Sequence, residues 1–231
     1  MTMLAATLSR DHSVHFVSFS RQYPGWLFPG QTDLDPSKQK LKVDNVEYLL
    51  DSLNPLTWTN TGKAIVAESP DLFLLSWWTV YWTLPFRAVL AKIRKAGIYT
   101  TIICHNLVDH ESARWKKAAT RAFLSQGDRL VTHSASETYR LRELLGHHVR
   151  AETAFLPTFA PLSMSRPSRD AARKELSLEG YVLLFFGFVR PYKGLQTLLD
   201  ALPRVRKHRP VTLLVVGEFW KGKDEYLSQI R

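Results

Sequence analysis

The chain reads as an α/β protein built on parallel sheets, and three observations predict it. Short apolar runs alternate with stretches of helical periodicity along the whole length. The run Tyr181–Phe186 is apolar without a break, as in a strand covered on both faces. It restarts at once as a helix in which Leu195, Leu198, Leu199 and Leu202 recur at i, i+3, i+4 and i+7. Repeated alternation of this kind implies parallel strands joined by right-handed crossovers.

In chain order, residues 1–8 have helical character and residues 12–20 run into the first strand. A second strand is expected at 71–76 and a third at 98–104. Between them, residues 72–86 carry no charge and include Trp77, Trp78, Tyr81 and Trp82. A membrane span needs about 20 apolar residues, and this run breaks at Pro85. A buried strand leading into a core helix is therefore expected. Peripheral contact of the aromatic helix and the basic stretch 87–95 with a membrane surface is the secondary expectation.

The next helix is expected to bury Trp115, Ala118, Ala119, Ala122 and Phe123, opposite Arg114, Lys116, Lys117 and Arg121. Residues 129–133 form a strand, after which Ser134 and Glu137 make a capping box. The helix so opened buries Leu141, Leu144 and Leu145 and stops near Gly146, leaving His147 and His148 at a solvated end. Strands follow at 149–155, 181–186 and 211–217, with a last helix over 223–231. Residues 156–169 hold three prolines and no sustained apolar period, so they read as part of a linker between domains.

Composition narrows the classes. A 231-residue chain that is 45% hydrophobic, with no repeat or low-complexity tract, is globular. One cysteine, Cys104, excludes a disulfide framework, and residues 1–10 lack the apolar core of a signal peptide, so cytoplasmic residence is the expectation. A net charge of +10 favours acidic partners, yet the basic residues are spread over helices with no zinc-finger or RNP pattern, and no nucleic acid is expected. G-x-G-x-x-G, the P-loop motif, H-E-x-x-H and paired cysteines are all missing, so neither a metal nor a bound cofactor is expected.

Two places carry candidate chemistry. At the first, Gly187, Arg190, Lys193 and Gly194 form a short basic turn between strand and helix. A helix N-terminus presents unpaired N–H groups and the positive end of its dipole, and Arg190 and Lys193 add full charges where a diphosphate would bind. The competing reading is a pair of solvated cations at a helix start. At the second, His105 and Asn106 follow directly on the strand ending at Cys104, where open α/β sheets present ligand-binding groups, with His110 and Glu111 in the same connection. A neutral His there could hydrogen-bond a sugar hydroxyl or a phosphate. It could equally satisfy the loop backbone.

The sequence Phe-Gly-Phe-Val-Arg-Pro-Tyr-Lys-Gly-Leu from Phe186, followed by Leu198-Leu199-Asp200-Ala201-Leu202, resembles the donor-domain opening of glycosyltransferase family 4. That family is retaining and has the GT-B fold, a pair of Rossmann-like domains. In its common motif an Arg follows the Gly directly and a Lys comes five residues later. Here Phe188 stands at the first position, Lys193 matches the second, and Arg190 lies two residues beyond Phe188. The resemblance implies a nucleotide-sugar site at Gly187, Arg190, Lys193 and Gly194, and makes His105 the catalytic candidate of the acceptor side.

It further implies an acceptor-side domain over 1–158 lacking its first strand, a linker over 159–178, and a partial donor-side domain over 179–231, so the second domain is truncated. The Gly-rich turn usual before the first helix and the later Glu-x7-Glu motif are not in the sequence. A shortened donor side would leave sheet edges and apolar faces uncovered. The activity implied is transfer of a hexosyl-type sugar from a nucleotide-sugar to a sugar or lipid-linked acceptor with retention, without metal, in the cytoplasm or at the inner membrane face. Catalysis by these 231 residues alone is not expected. The alternative is a non-catalytic remnant or partner subunit that binds a phosphorylated ligand or an anionic membrane.

Overall fold

The computed structural model describes residues 1–27, 45–107, 114–156, 167–220 and 222–230, with no side-chain description at residue 230. The chain divides into two compact units, one with the described residues 1–24 and 45–156, the other with 25–27 and those from 167 onward.

The first unit begins with helix α1 (Thr2–Leu8) and strands β1 (Phe16–Arg21) and β2 (Val46–Asp51), which pair in parallel. Helix α2 (Pro55–Ala67) starts where the Asn54 side chain accepts from the Leu56 N–H at 3.1 Å and Pro55 takes the first helical position, both favourable at an N-terminus. Then come β3 (Leu72–Trp77), α3 (Thr83–Lys95), β4 (Tyr99–Cys104), α4 (Arg114–Leu124), β5 (Arg129–Thr132), α5 (Ala135–Leu145) and β6 (Ala151–Thr153). Strands β3, β4, β5 and β6 form one parallel sheet in that order. Ser134 opens α5 by accepting from the Glu137 N–H at 3.2 Å, and Gly146 ends it at φ +103°, as its capping box and glycine stop predict.

The core of this unit is aromatic. Trp77 is fully buried and stacks on Phe123 with ring centroids 4.3 Å apart, while Trp82 stacks on Phe86 at 5.1 Å. Trp77, Trp82 and Phe86 of the aromatic run are thus core residues, as expected of a buried strand leading into a core helix, while Leu84 is 67% exposed. Among the described residues no helix is long and apolar enough to cross a bilayer. Helix α4 is also turned from its expected setting: Trp115 is 63% exposed, and Thr120, Phe123 and Leu124 face inward. The Phe123–Trp77 stack fixes that rotation, because the residues one turn before Phe123 on the same face are 119 and 120.

The second unit holds α6 (Arg169–Glu175), β7 (Tyr181–Phe186), α7 (Leu195–His208), β8 (Val211–Val216) and α8 (Lys223–Ile230), with β7 and β8 parallel. Residues 157–166 of the expected linker region lie outside the described residues. Its later part carries α6, capped where Ser168 Oγ accepts from the Ala171 N–H at 3.1 Å, with Asp170 at the positive end and Arg173 and Lys174 at the negative end.

Val189, Leu195 and Tyr226 are buried, with Phe185, Leu199, Leu213, Val215 and Phe219 against them. Strand β7 is not covered on both faces as expected. Among the described residues it has one neighbouring strand, and its helices cover the face of Phe185, Leu213 and Val215, so Leu184 and Phe186 on the other face are 60% and 77% exposed.

Candidate functional site

In the first unit the polar groups converge at the C-terminal edge of the β3–β6 sheet. His105 is the first residue after β4, and its N–H donates to the Trp77 carbonyl at 2.8 Å, which continues the ladder one step past the strand. Because β4 and β5 pair Cys104 with Thr132, the next residues, His105 and His133, emerge side by side. Nε2 of His133 lies 2.9 Å from Nδ1 of His105, and the ring centroids are 4.8 Å apart. His133 Nδ1 lies 3.1 Å from the Ala154 carbonyl oxygen, and His105 Nε2 lies 3.3 Å from the Ser76 hydroxyl.

Both imidazoles are half-buried. Burial, first, lowers the His105 pKa below the ordinary histidine value; the neighbouring His133 and the α-amino group of Met1 push the same way. The neutral ring is thus the favoured form, which leaves one ring nitrogen able to accept a hydrogen bond. Cys104 beside it is buried, which pushes its thiol up to about 12 with Glu137 adding to the shift, so no thiolate forms there. Beneath the histidines, Thr138 Oγ1 lies 2.5 Å from Thr132 Oγ1 and 2.6 Å from Thr153 Oγ1, tying α5 to β5 and β6.

His133 is the residue that the sequence reading passed over. The signal was present, since His133 ends a strand-like run just as His105 follows one, and parallel pairing brings the two together. His110 and Glu111 lie outside the described residues.

In the second unit, β7 leads through Gly187 and a one-turn 3-10 helix, Pro191–Lys193, into α7. Gly194 sits at φ +78°, a left-handed setting that lets the chain turn from the 3-10 segment into the helix. No side chain caps α7, so its first N–H groups are not taken by a cap. The structure brings Lys193 and Gly187 together: Lys193 Nζ lies 3.3 Å from the point where a β-carbon on Gly187 would be. Arg190 points elsewhere, with its guanidinium carbon 3.7 Å from the Trp220 ring centre and 6.0 Å from that of Phe188. Among the described residues no group of three or more His, Cys, Asp or Glu side chains is placed to hold a metal ion.

No family model matches the chain. Over 132 residues it is 28% identical to a GDP-mannose:glycolipid 4-beta-D-mannosyltransferase of Xanthomonas campestris pv. campestris, a stretch that is 56% of this chain and 33% of the relative. A second Xanthomonas campestris protein of the same description is 28% identical over 131 residues, again 56% and 33% of the two lengths. The chain thus spans a third of the length of the curated relatives it matches. The crystal structure of Anabaena Alr3699/HepE in complex with UDP-glucose aligns at a TM-score of 0.59 and 16% identity, over 80% of this chain and 50% of that one. This likeness shows the fold, an α/β build with parallel sheets of the kind in a GT-B glycosyltransferase.

Proposed function

We propose that the chain acts in glycosyl transfer, carrying a hexosyl-type sugar from a nucleotide-sugar donor to a glycolipid acceptor. The observation that carries this reading is the 132-residue match to a GDP-mannose:glycolipid mannosyltransferase. The fold shared with Anabaena Alr3699/HepE, solved in complex with UDP-glucose, supports it at a TM-score of 0.59. His105 serves the acceptor side. The Gly187–Gly194 turn serves the donor, with Lys193 holding diphosphate over the start of α7 and Gly187 leaving room for it.

The chemistry asked of the turn is electrostatic. As the bond from the anomeric carbon to the diphosphate breaks, the electron pair stays on a phosphate oxygen, where an ammonium and the helix N–H groups stabilise it. No metal is required by this arrangement. Retention of configuration is the course implied by the family resemblance, and the coupling constant of the new anomeric proton in the product checks it. A glycolipid acceptor also brings the protein to a membrane surface. The exposed basic residues Arg87, Arg94 and Lys95 on α3 and Arg114, Lys117 and Arg121 on α4 fit an anionic one.

The test uses the full chain with GDP-mannose and UDP-glucose in turn, measuring binding by calorimetry and transfer of labelled sugar to a bacterial glycolipid extract. Lys193→Gln is expected to weaken donor binding about 10- to 100-fold, the size of a charged hydrogen bond. Equal binding by wild type and variant removes the diphosphate role. Donor binding with no transfer favours the non-catalytic alternative.

A further inference from the structure

The hydrogen-bond directions around His105 follow from a single carbonyl. The Ala154 oxygen can only accept, so His133 Nδ1 carries the hydrogen of that 3.1 Å contact. A neutral His133 then has a bare Nε2, and the hydrogen in its 2.9 Å contact belongs to His105 Nδ1. A neutral His105 in turn has a bare Nε2, which accepts from the Ser76 hydroxyl at 3.3 Å. Both rings are held as Nδ1–H tautomers, the opposite of the Nε2–H form favoured by histidine in water. The Ser76 contact is the longest of the three, beyond the usual length for a hydroxyl donor, and a hydroxyl rotor is readily displaced.

We propose that His133 is a positioning residue. By accepting from His105 Nδ1 it keeps the His105 Nε2 lone pair available, and that nitrogen takes a hydrogen bond from a sugar hydroxyl of the acceptor, which displaces the Ser76 hydroxyl. The proposal rests on the glycosyl-transfer reading for the identity of the sugar, and on the β4–β5–β6 register for the geometry. Without His133, the His105 ring is free to flip its hydrogen to Nε2, donate to Ser76, and present a donor where the substrate hydroxyl needs an acceptor.

Selective 15N labelling of histidine in the full chain reads each ring nitrogen directly. In the wild type, His105 and His133 are both expected to be protonated at Nδ1 and bare at Nε2 at pH 7.5. His133→Phe is expected to move the His105 hydrogen to Nε2. His133→Gln, whose amide oxygen can accept from Nδ1, restores the wild-type pattern and controls for damage to the fold.

Titration with n-octyl β-D-glucoside below its micelle concentration, a minimal glycolipid, is expected to shift the His105 Nε2 resonance in wild type and Gln variant and not in the Phe variant. An Nε2–H His105 in the wild type, or no change of tautomer in His133→Phe, overturns the proposal. So does a tautomer change that leaves the glucoside response intact. These readouts need no turnover, so loss of the glycosyl-transfer reading, seen as no nucleotide-sugar binding by the wild type, is told apart from loss of the His133 role.

Discussion

The two units present the same local grammar, a strand, a turn and an amphipathic helix, in two very different settings. In the first, β4 lies between two strands, with every residue after Tyr99 buried. In the second, β7 has one neighbour among the described residues and four of its six residues exposed, with Leu184 at 60% and Phe186 at 77%. The strand with two threonines is buried, and the strand with none is uncovered. Apolarity states which face could be buried; only the number of neighbouring layers decides whether it is.

The contrast breaks most readily at its aromatic ends. Trp77→Ala removes a fully buried ring stacked on Phe123 and is expected to cost about 3–5 kcal/mol. Phe186→Ala removes a ring of similar class from an exposed position and is expected to stay within about 0.5 kcal/mol. Urea unfolding of the two variants measures both, and equal losses would mean that the exposed face of β7 is covered in solution. Gly217→Ala comes next. A β-carbon there would overlap the Gly187 carbonyl oxygen, and φ is +147°, so a loss of about 1–3 kcal/mol is expected. Amide exchange should report it in β7 and β8 and leave β3–β6 unchanged.

What was legible in the sequence follows the same division. Order and type of most elements could be read because caps and punctuation are local: Ser134 to Glu137, Gly146, and the turn at Gly187. Strand β2 escaped because its six residues do not alternate cleanly and are mostly half-buried or exposed, with Glu47 and Tyr48 facing out in a two-stranded ribbon. The rotation of α4 escaped because Trp115 and Phe123 are equally apolar, and only the position of Trp77 chooses between them. For the site, His105 was found from its place after a strand. His133 needed the register of two strands 28 residues apart, which is tertiary information. Arg190 was assigned to the diphosphate site, since nothing in its own turn announces Trp220 as its neighbour.

Arg190 sharpens the comparison on the side of the second unit. Arg190→Met keeps the aliphatic stem and removes the cation from the Trp220 ring, so a loss of about 0.5–1 kcal/mol is expected, read as a changed Trp220 emission and a lower urea midpoint. If instead donor affinity drops and stability is unchanged, the guanidinium leaves Trp220 for the diphosphate, and the sequence-based assignment of Arg190 is restored.

The smallest effect belongs to the first unit and depends on pH. His105 has its pKa lowered by burial, by His133 and by the Met1 amino group, so below the ordinary histidine value the unfolded chain binds a proton that the native ring resists. The sign follows: stability rises with pH through that window and falls as pH drops from about 6.5 toward the lowered value. His133 is coupled to His105 across the 2.9 Å contact, so the difference between the urea midpoints of wild type and His105→Gln at pH 7.5 and pH 5.5 reports on the pair. Wild type is expected to lose more than the variant on acidification. Parallel losses would mean that the His105–His133 pair takes up a proton as easily as a free histidine, and that the half-buried edge of the four-stranded sheet is, for charge, as open to water as the uncovered face of β7.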